Sequence, residues 1–263
     1  IQIASANTTE QFANFDLSNG TIGSVGSSFS DAKIENYGNE WYRCSVVSDN
    51  QYNQAIFSLV TSPTSPWLET WTSSNNTDGL YIWGAQLEEQ SYATSYIPTS
   101  GSTVTRNQDV CTNGGSLASI NSTSGTLYAQ IAALANDGTN RIITISDGSY
   151  QNSARIQFYA NTNEVEMRMV VGGAIQALQR VAIASVLDYN KIAFVYSVND
   201  FALWINGSKL RFDTSGSVPI ANTFNVVNFD DGGGSAKFFG KTKALAVWKE
   251  ALSDAELTEL TTI

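Results

Sequence analysis

Few side chains in this 263-residue chain are of a type and spacing that could do chemistry. Glu164 and Glu166 stand two apart in NEVEMRM, and on a strand, where successive side chains alternate, they would share a face. Paired carboxyls about 5 Å apart, one as nucleophile and one as acid, are the equipment of retaining glycoside hydrolysis. Val165 stands between the two and no third acid follows, so the pair is expected to be a solvent-facing strand edge. Arg155, Gln157 and Tyr159 alternate in the same way, a string that the polar residues of an exposed sheet face also give. There is no histidine, which excludes Ser-His-Asp and Cys-His nucleophile systems and every His-ligated zinc or iron site. Cys44 and Cys111 lie in different halves of the chain, outside any C-x-x-C spacing; a metal site is disfavoured, and two buried free thiols are expected over a pair. No residue is assigned a catalytic role.

Aromatic rings are the other candidates, since flat rings with amide or carboxylate neighbours suit ligands that combine C–H faces with hydroxyls. Trp67 and Trp71 lie in TSPTSPWLETW, where Pro63 and Pro66 restrict the backbone; they read either as ligand-facing rings or as structural ones. Trp204 alternates with Leu203 and Ile205, so it projects from the opposite face of its strand as a partly exposed ring. Trp41 and Trp83 fall in strong strand patterns and read as core. Asp137, Asp147, Asp230 and Asp231 stand in or beside Asp-Gly loops. Such carboxylates could ligate calcium, and each is also what an ordinary turn contains.

The elements that must position these groups are strands. Aromatic residues make up 11% and charged residues 14% of the chain, with Ser, Thr, Asn and Gly filling the intervals, as strands and turns require. Short alternating runs recur, QFANFDL, AKIENYG, EWYRCSVV, QAIFSLV and GLYIWGAQLE, then GTLYAQIAAL, RIITISDG, ARIQFYAN, EVEMRMVV, KIAFVYSV, FALWING, FNVVNF and KTKALAVW. Asn19-Gly20, Asp78-Gly79, Asp147-Gly148, Asn206-Gly207 and Asp231-Gly232 punctuate them as turns. Alternation lapses between Thr94 and Val110, and the boundary falls there, giving domains 1–108 and 109–263. Ser253 with Glu256 three residues on is a capping box that opens a short C-terminal helix. The net charge of −10 with no basic run excludes a nucleic-acid partner and disfavours an anionic membrane surface. No 18-residue apolar stretch is present, so membrane insertion is not expected. Because the chain opens at Ile1, directly in a strand-like run, a piece of a longer polypeptide is expected.

FALWINGSKL (201–210) and KALAVWKEALSDAELTEL (243–260) carry a resemblance to the concanavalin A-like, laminin-G-like jelly rolls, over roughly residues 111–263. NFDLSNGTIGSVG (14–26), IENYGNEWYRCSV (34–46) and GLYIWGAQLEEQSYATSYIPTSGSTVTR (79–106) make the first half similar to a carbohydrate-binding-like module of phage virion and tail-fibre-type proteins. That family usually has strands before FDLSNG that are missing here, so the resemblance implies an N-terminally truncated domain. Together the resemblances imply an all-β chain of two tandem β-sandwich (jelly-roll) domains, the second concanavalin A-like with a short C-terminal helix. They imply a non-catalytic, virion-surface or extracellular protein whose partners are a polysaccharide or cell-surface glycan, other virion proteins and a second copy of itself. The glycan contacts are expected at Trp67, Trp71 and Trp204, and calcium, which jelly rolls of this kind often hold, at the four loop aspartates. A structural or decoration module is the alternative. A hydrolase or lyase is the third reading, because a jelly roll can be any of these. Glucanases of this fold carry E-x-D-x-E, which the Glu164 segment lacks. The lyases use a His or Tyr base with Arg and Gln neutralising a uronate, of which Arg155, Gln157 and Tyr159 are a loose echo.

Overall fold

A computed structural model describes residues 1–5, 9–48, 54–69, 71–73, 77–106 and 114–263. Among them sixteen strands pair antiparallel throughout, and one helix closes the chain. The chain divides into two compact units, Ile1–Asn107 and Gln108–Ile263. Among the described residues no helix is long and apolar enough to cross a membrane.

The first unit contains β1 (Gln2–Ala4), β2 (Phe12–Asp16), β3 (Thr21–Val25), β4 (Phe29–Gly38), β5 (Trp41–Ser48) and β6 (Ile56–Ser58). Four strands form a sheet in the order β3-β2-β1-β6, and β4 and β5 form a hairpin. Period-two alternation sorts β5: Cys44 and Val46 pack with Ala13, Phe15 and Phe29 in a small core, whereas Arg43 on the other face donates to the Thr94 carbonyl. The strand expected across GLYIWGAQLE is not formed. Its polar side chains take over the pairing instead. Ile97 N donates to Gln86 Oε1 (2.7 Å), and the Glu88 carboxylate accepts from Thr94 N (2.9 Å) and Thr94 Oγ1 (2.6 Å).

The second unit is a β-sandwich. Its strands are β7 (Ser124–Ala133), β8 (Arg141–Ser146), β9 (Ser153–Phe158), β10 (Glu164–Val171), β11 (Ala174–Ala182), β12 (Asn190–Ser197), β13 (Asp200–Ile205), β14 (Ser208–Asp213), β15 (Val226–Asn228) and β16 (Gly240–Trp248), followed by α1 (Asp254–Thr261). One sheet runs β11-β10-β9-β8-β15 and the other β14-β13-β12-β7-β16. Between them lies one apolar core that includes Ile143, Ile156, Met167, Leu127, Phe194, Leu203 and Phe224. Asn206 and Gly207, both at positive φ, link β13 to β14 in the two-residue turn whose twist suits a hairpin. Helix α1 begins where the sequence places it, with Ser253 accepting from Glu256 N and Glu256 reaching back to Ser253 N. Its buried Leu257 covers the outer face of the second sheet, against Trp204, Tyr128 and Val195.

Candidate functional site

The other sheet of the sandwich turns a polar face outward. Core residues Ala154, Ile156 and Phe158 of β9 and Val165, Met167 and Met169 of β10 point inward, so alternation places Arg155, Gln157, Glu166 and Arg168 on the opposite face. Register then sets them in rows: Gln157 stands opposite Glu166, and Glu166 opposite Arg180 of β11. In the neighbouring row Thr144 of β8 stands opposite Arg155, and Arg155 opposite Arg168.

Glu166 is fully buried, and both of its oxygens are taken. Oε1 accepts from Arg168 Nε at 2.8 Å and lies 2.6 Å from Arg168 Nη2, while Oε2 accepts from Arg180 Nε at 2.6 Å. Arg180 also lies 3.6 Å above the centre of the Tyr159 ring, a cation–π contact. Partial burial opposes protonation of Arg180, but the Glu166 hydrogen bond and charge outweigh it and raise its pKa. This arrangement corrects the expectation of a solvent-facing edge at Glu164 and Glu166. Strand β10 lies between β9 and β11, and two arginines enclose Glu166.

Arg155 and Gln157 are buried too, at 8% and 2% exposure, but they are not fully matched. Gln157 Nε2 donates to Asn140 Oδ1 at 3.3 Å, whereas Gln157 Oε1 and Arg155 Nε have no hydrogen-bond partner among the described residues. Burial, with Arg168 adding repulsion, pulls the Arg155 pKa down to about 10 against the attraction of Glu166 and Asp231. The folded state therefore holds this proton less tightly than the unfolded chain does. Keeping Arg155 charged detracts from stability below about pH 10 and the penalty lifts as pH rises through that value.

The rings expected to face a ligand are differently placed. Trp67 is half-buried and donates from Nε1 to the Ser5 carbonyl at 2.9 Å. Its loop is strapped to the sheet by two buried amides: Gln2 Nε2 donates to Pro66 O (3.0 Å), and Asn14 Nδ2 to Ser65 O (2.7 Å). Trp67→Phe removes that indole bond while keeping a ring, so thermal melts should show a loss of about 1 kcal/mol. Trp71 is half-buried. Trp204 requires a correction: it is 5% exposed, because α1 and Tyr128 cover the face on which it projects. Trp83 and Trp41, expected in the core, are instead 71% and 47% exposed, and Trp83 packs against Tyr96 with centroids 4.5 Å apart and planes tilted by 48°.

The four loop aspartates do not assemble. Asp137 precedes β8 and pairs with Arg141 at 2.9 Å. Asp147, at the other end of that strand, accepts from Ser149 N (2.9 Å), Ser149 Oγ (2.7 Å) and Asn152 Nδ2 (2.7 Å). Burial opposes ionisation of Asp147, but these bonds hold its carboxyl below the usual range. Asp230 accepts from Gly232 N, and Asp231 from Gly233 N and Ser235 N, so turn chemistry occupies them. Among the described residues no three acidic, Cys or His side chains are grouped to hold a metal. Cys44 is a half-buried free thiol, pushed up to about 11 by burial, and Cys111 lies outside the described residues. A cavity of about 320 Å³ lined by Leu117, Ile120, Asn121, Ser122 and Lys249 shares no residue with the arginine face.

Strand alternation in the sequence marks Arg155, Gln157, Tyr159 and Glu166, whereas Arg168 and Arg180 enter the site only in the folded structure. The alternation of Glu166 with Arg168 was a readable signal for the former. Arg180 depends on how β10 pairs with β11.

No protein-family model matches the sequence, and no curated protein matches it. Among solved structures the chain is similar to the CBM40 of the Ruminococcus gnavus IT-sialidase bound to α2,3-sialyllactose, 17% identical over 54% of this chain and 83% of that one, with a TM-score of 0.45. It is similar to the NanB sialidase of Streptococcus pneumoniae, 13% identical over 56% of this chain and 25% of that one, with a TM-score of 0.44. Sheep galectin-11 in complex with glycerol is 9% identical over 49% of this chain and 93% of that one, with a TM-score of 0.34. These likenesses are partial, and what this chain binds has to be argued from its own side chains.

Proposed function

We propose that this chain binds a glycan, without cleaving it, on the outer face of the β11-β10-β9-β8-β15 sheet. One observation carries the reading. At the middle of that face a buried acceptor, Gln157 Oε1, and a buried donor, Arg155 Nε, are both left without partners. Leaving such groups unsatisfied costs about 1–3 kcal/mol each, and native proteins retain few of them. A sugar hydroxyl both donates and accepts, so one or two hydroxyls could satisfy both groups. Cleavage is disfavoured because the two arginines occupy both oxygens of Glu166. That leaves Glu164, itself bonded by Asn161 Nδ2 at 2.9 Å, without a second free carboxyl for a nucleophile–acid pair.

Calorimetric titration of the intact chain against a panel of neutral and acidic oligosaccharides tests the reading. Gln157→Leu should weaken binding of whichever sugar is captured by about tenfold, the value of one hydrogen bond of about 1.4 kcal/mol, with an unchanged melt. Full affinity in that variant would remove Gln157 from the site. The first-half resemblance supports a setting on a virion surface or outside the cell. The exposed, mutually packed Trp83 and Tyr96 favour a second role for the first unit, packing against another copy of the chain. In that case Trp83→Ser should shift the sedimenting species towards monomer.

A further inference from the structure

We propose that the glycan taken by this face is acidic, its carboxylate received by the Arg155 guanidinium with Arg168 beside it. The inference rests on the glycan reading above and specifies the ligand class. Three guanidinium groups share the face, yet the acid they surround is committed to two of them, Arg168 and Arg180. Arg155 makes no ion pair among the described residues, although Glu166 and Asp231 attract it from beyond contact distance. A buried cation without an anion in contact is unfavourable in the free protein. A neutral hydroxyl would meet its hydrogen-bonding need but leave the charge without an anion in contact. A carboxylate does both, since its two oxygens match the planar fork of arginine. The chain's net charge of −10 repels an acidic ligand at a distance. That repulsion is screened beyond about 8 Å at physiological salt, whereas a contact pair lies well inside that length.

The test pairs each acidic sugar with its own neutral counterpart. The intact chain is titrated with trigalacturonate, an alginate trisaccharide and sialyllactose, and with each of them after reduction of the carboxyl to an alcohol. At least one acid form should bind about 30-fold more tightly than its reduced form, the effect of a charge-assisted bond. Arg155→Met should abolish that preference and weaken the reduced sugar by no more than the loss of one hydrogen bond, about tenfold. Arg155→Lys, which keeps the charge but loses the fork, should fall between. Because the unpaired charge is unfavourable, Arg155→Met should melt no lower than the parent, so lost binding cannot be attributed to misfolding. Equal affinity for acid and reduced forms, or capture of neutral sugars alone in a Gln157-sensitive manner, would overturn the acidic ligand and leave glycan binding standing. Failure of every sugar, acidic and neutral, would overturn both.

Discussion

Replacing Glu166 by alanine should lower the stability of the second unit by about 3–5 kcal/mol, because removing one partner of a buried ionic cluster strands the others. Here the stranded groups are Arg168 and Arg180, which converge on a carboxylate with no solvent exposure, with the unpaired Arg155 in the row beside them. Repulsion among three guanidinium groups would then be uncompensated on one sheet face. Glu166→Gln, which keeps the shape and one acceptor, should cost less. Changing Glu166, Arg168 and Arg180 together to apolar residues of similar size should recover most of the loss, since desolvating the ions is itself unfavourable. Urea denaturation of the intact chain reads all three variants. A change below about 1 kcal/mol for Glu166→Ala would mean that the arginines simply turn to water, as exposed pairs do.

The second large effect belongs to Trp204. Truncating it to alanine should cost about 3–5 kcal/mol, the range for deleting a large buried ring, and should leave sugar affinity unchanged. The ring is held between β13 and α1, with Tyr128, Ala193, Val195, Ala202 and Leu257 around it. Its indole N–H has no hydrogen-bond partner among the described residues, so Trp204→Phe keeps most of the packing, loses no bond and should be much milder. Reduced sugar affinity in a Trp204→Ala protein that still melts cooperatively would return this ring to the binding site.

The contrast between Trp204 and Glu166 shows what can be read from residues alone. Period two assigned both to the face away from the core, correctly. It could not say what lies over that face. Over Trp204 lies a helix that the capping box at Ser253 had announced, but where the helix docks depends on tertiary packing. Over Glu166 lie arginines from two other positions, one of them fixed by a register shift between Met169 and Val170. Counting outward from Gly172-Gly173 without that bulge would set Glu166 opposite Gln179, whose side chain points the other way. The all-β architecture and the closing helix were legible because they rest on local alternation and capping. In the first unit the same alternation misled at GLYIWGAQLE, where Gln86 and Glu88 bond to the 94–97 backbone and Trp83 stays outside. The loop aspartates were ambiguous from the start, and their own turns account for them.

The central claim is that a sugar is bound at Arg155 and Gln157. Its most direct test is side-chain nuclear magnetic resonance of the intact chain, following the arginine Nε–H and glutamine amide signals during titration with the tightest-binding oligosaccharide. Saturable shifts of the Arg155 Nε–H and Gln157 amide signals, with the Trp67 indole signal unmoved, are the predicted result. Saturable binding that shifts the indole signals of Trp67 or Trp83 and leaves Arg155 and Gln157 where they were would contradict the account.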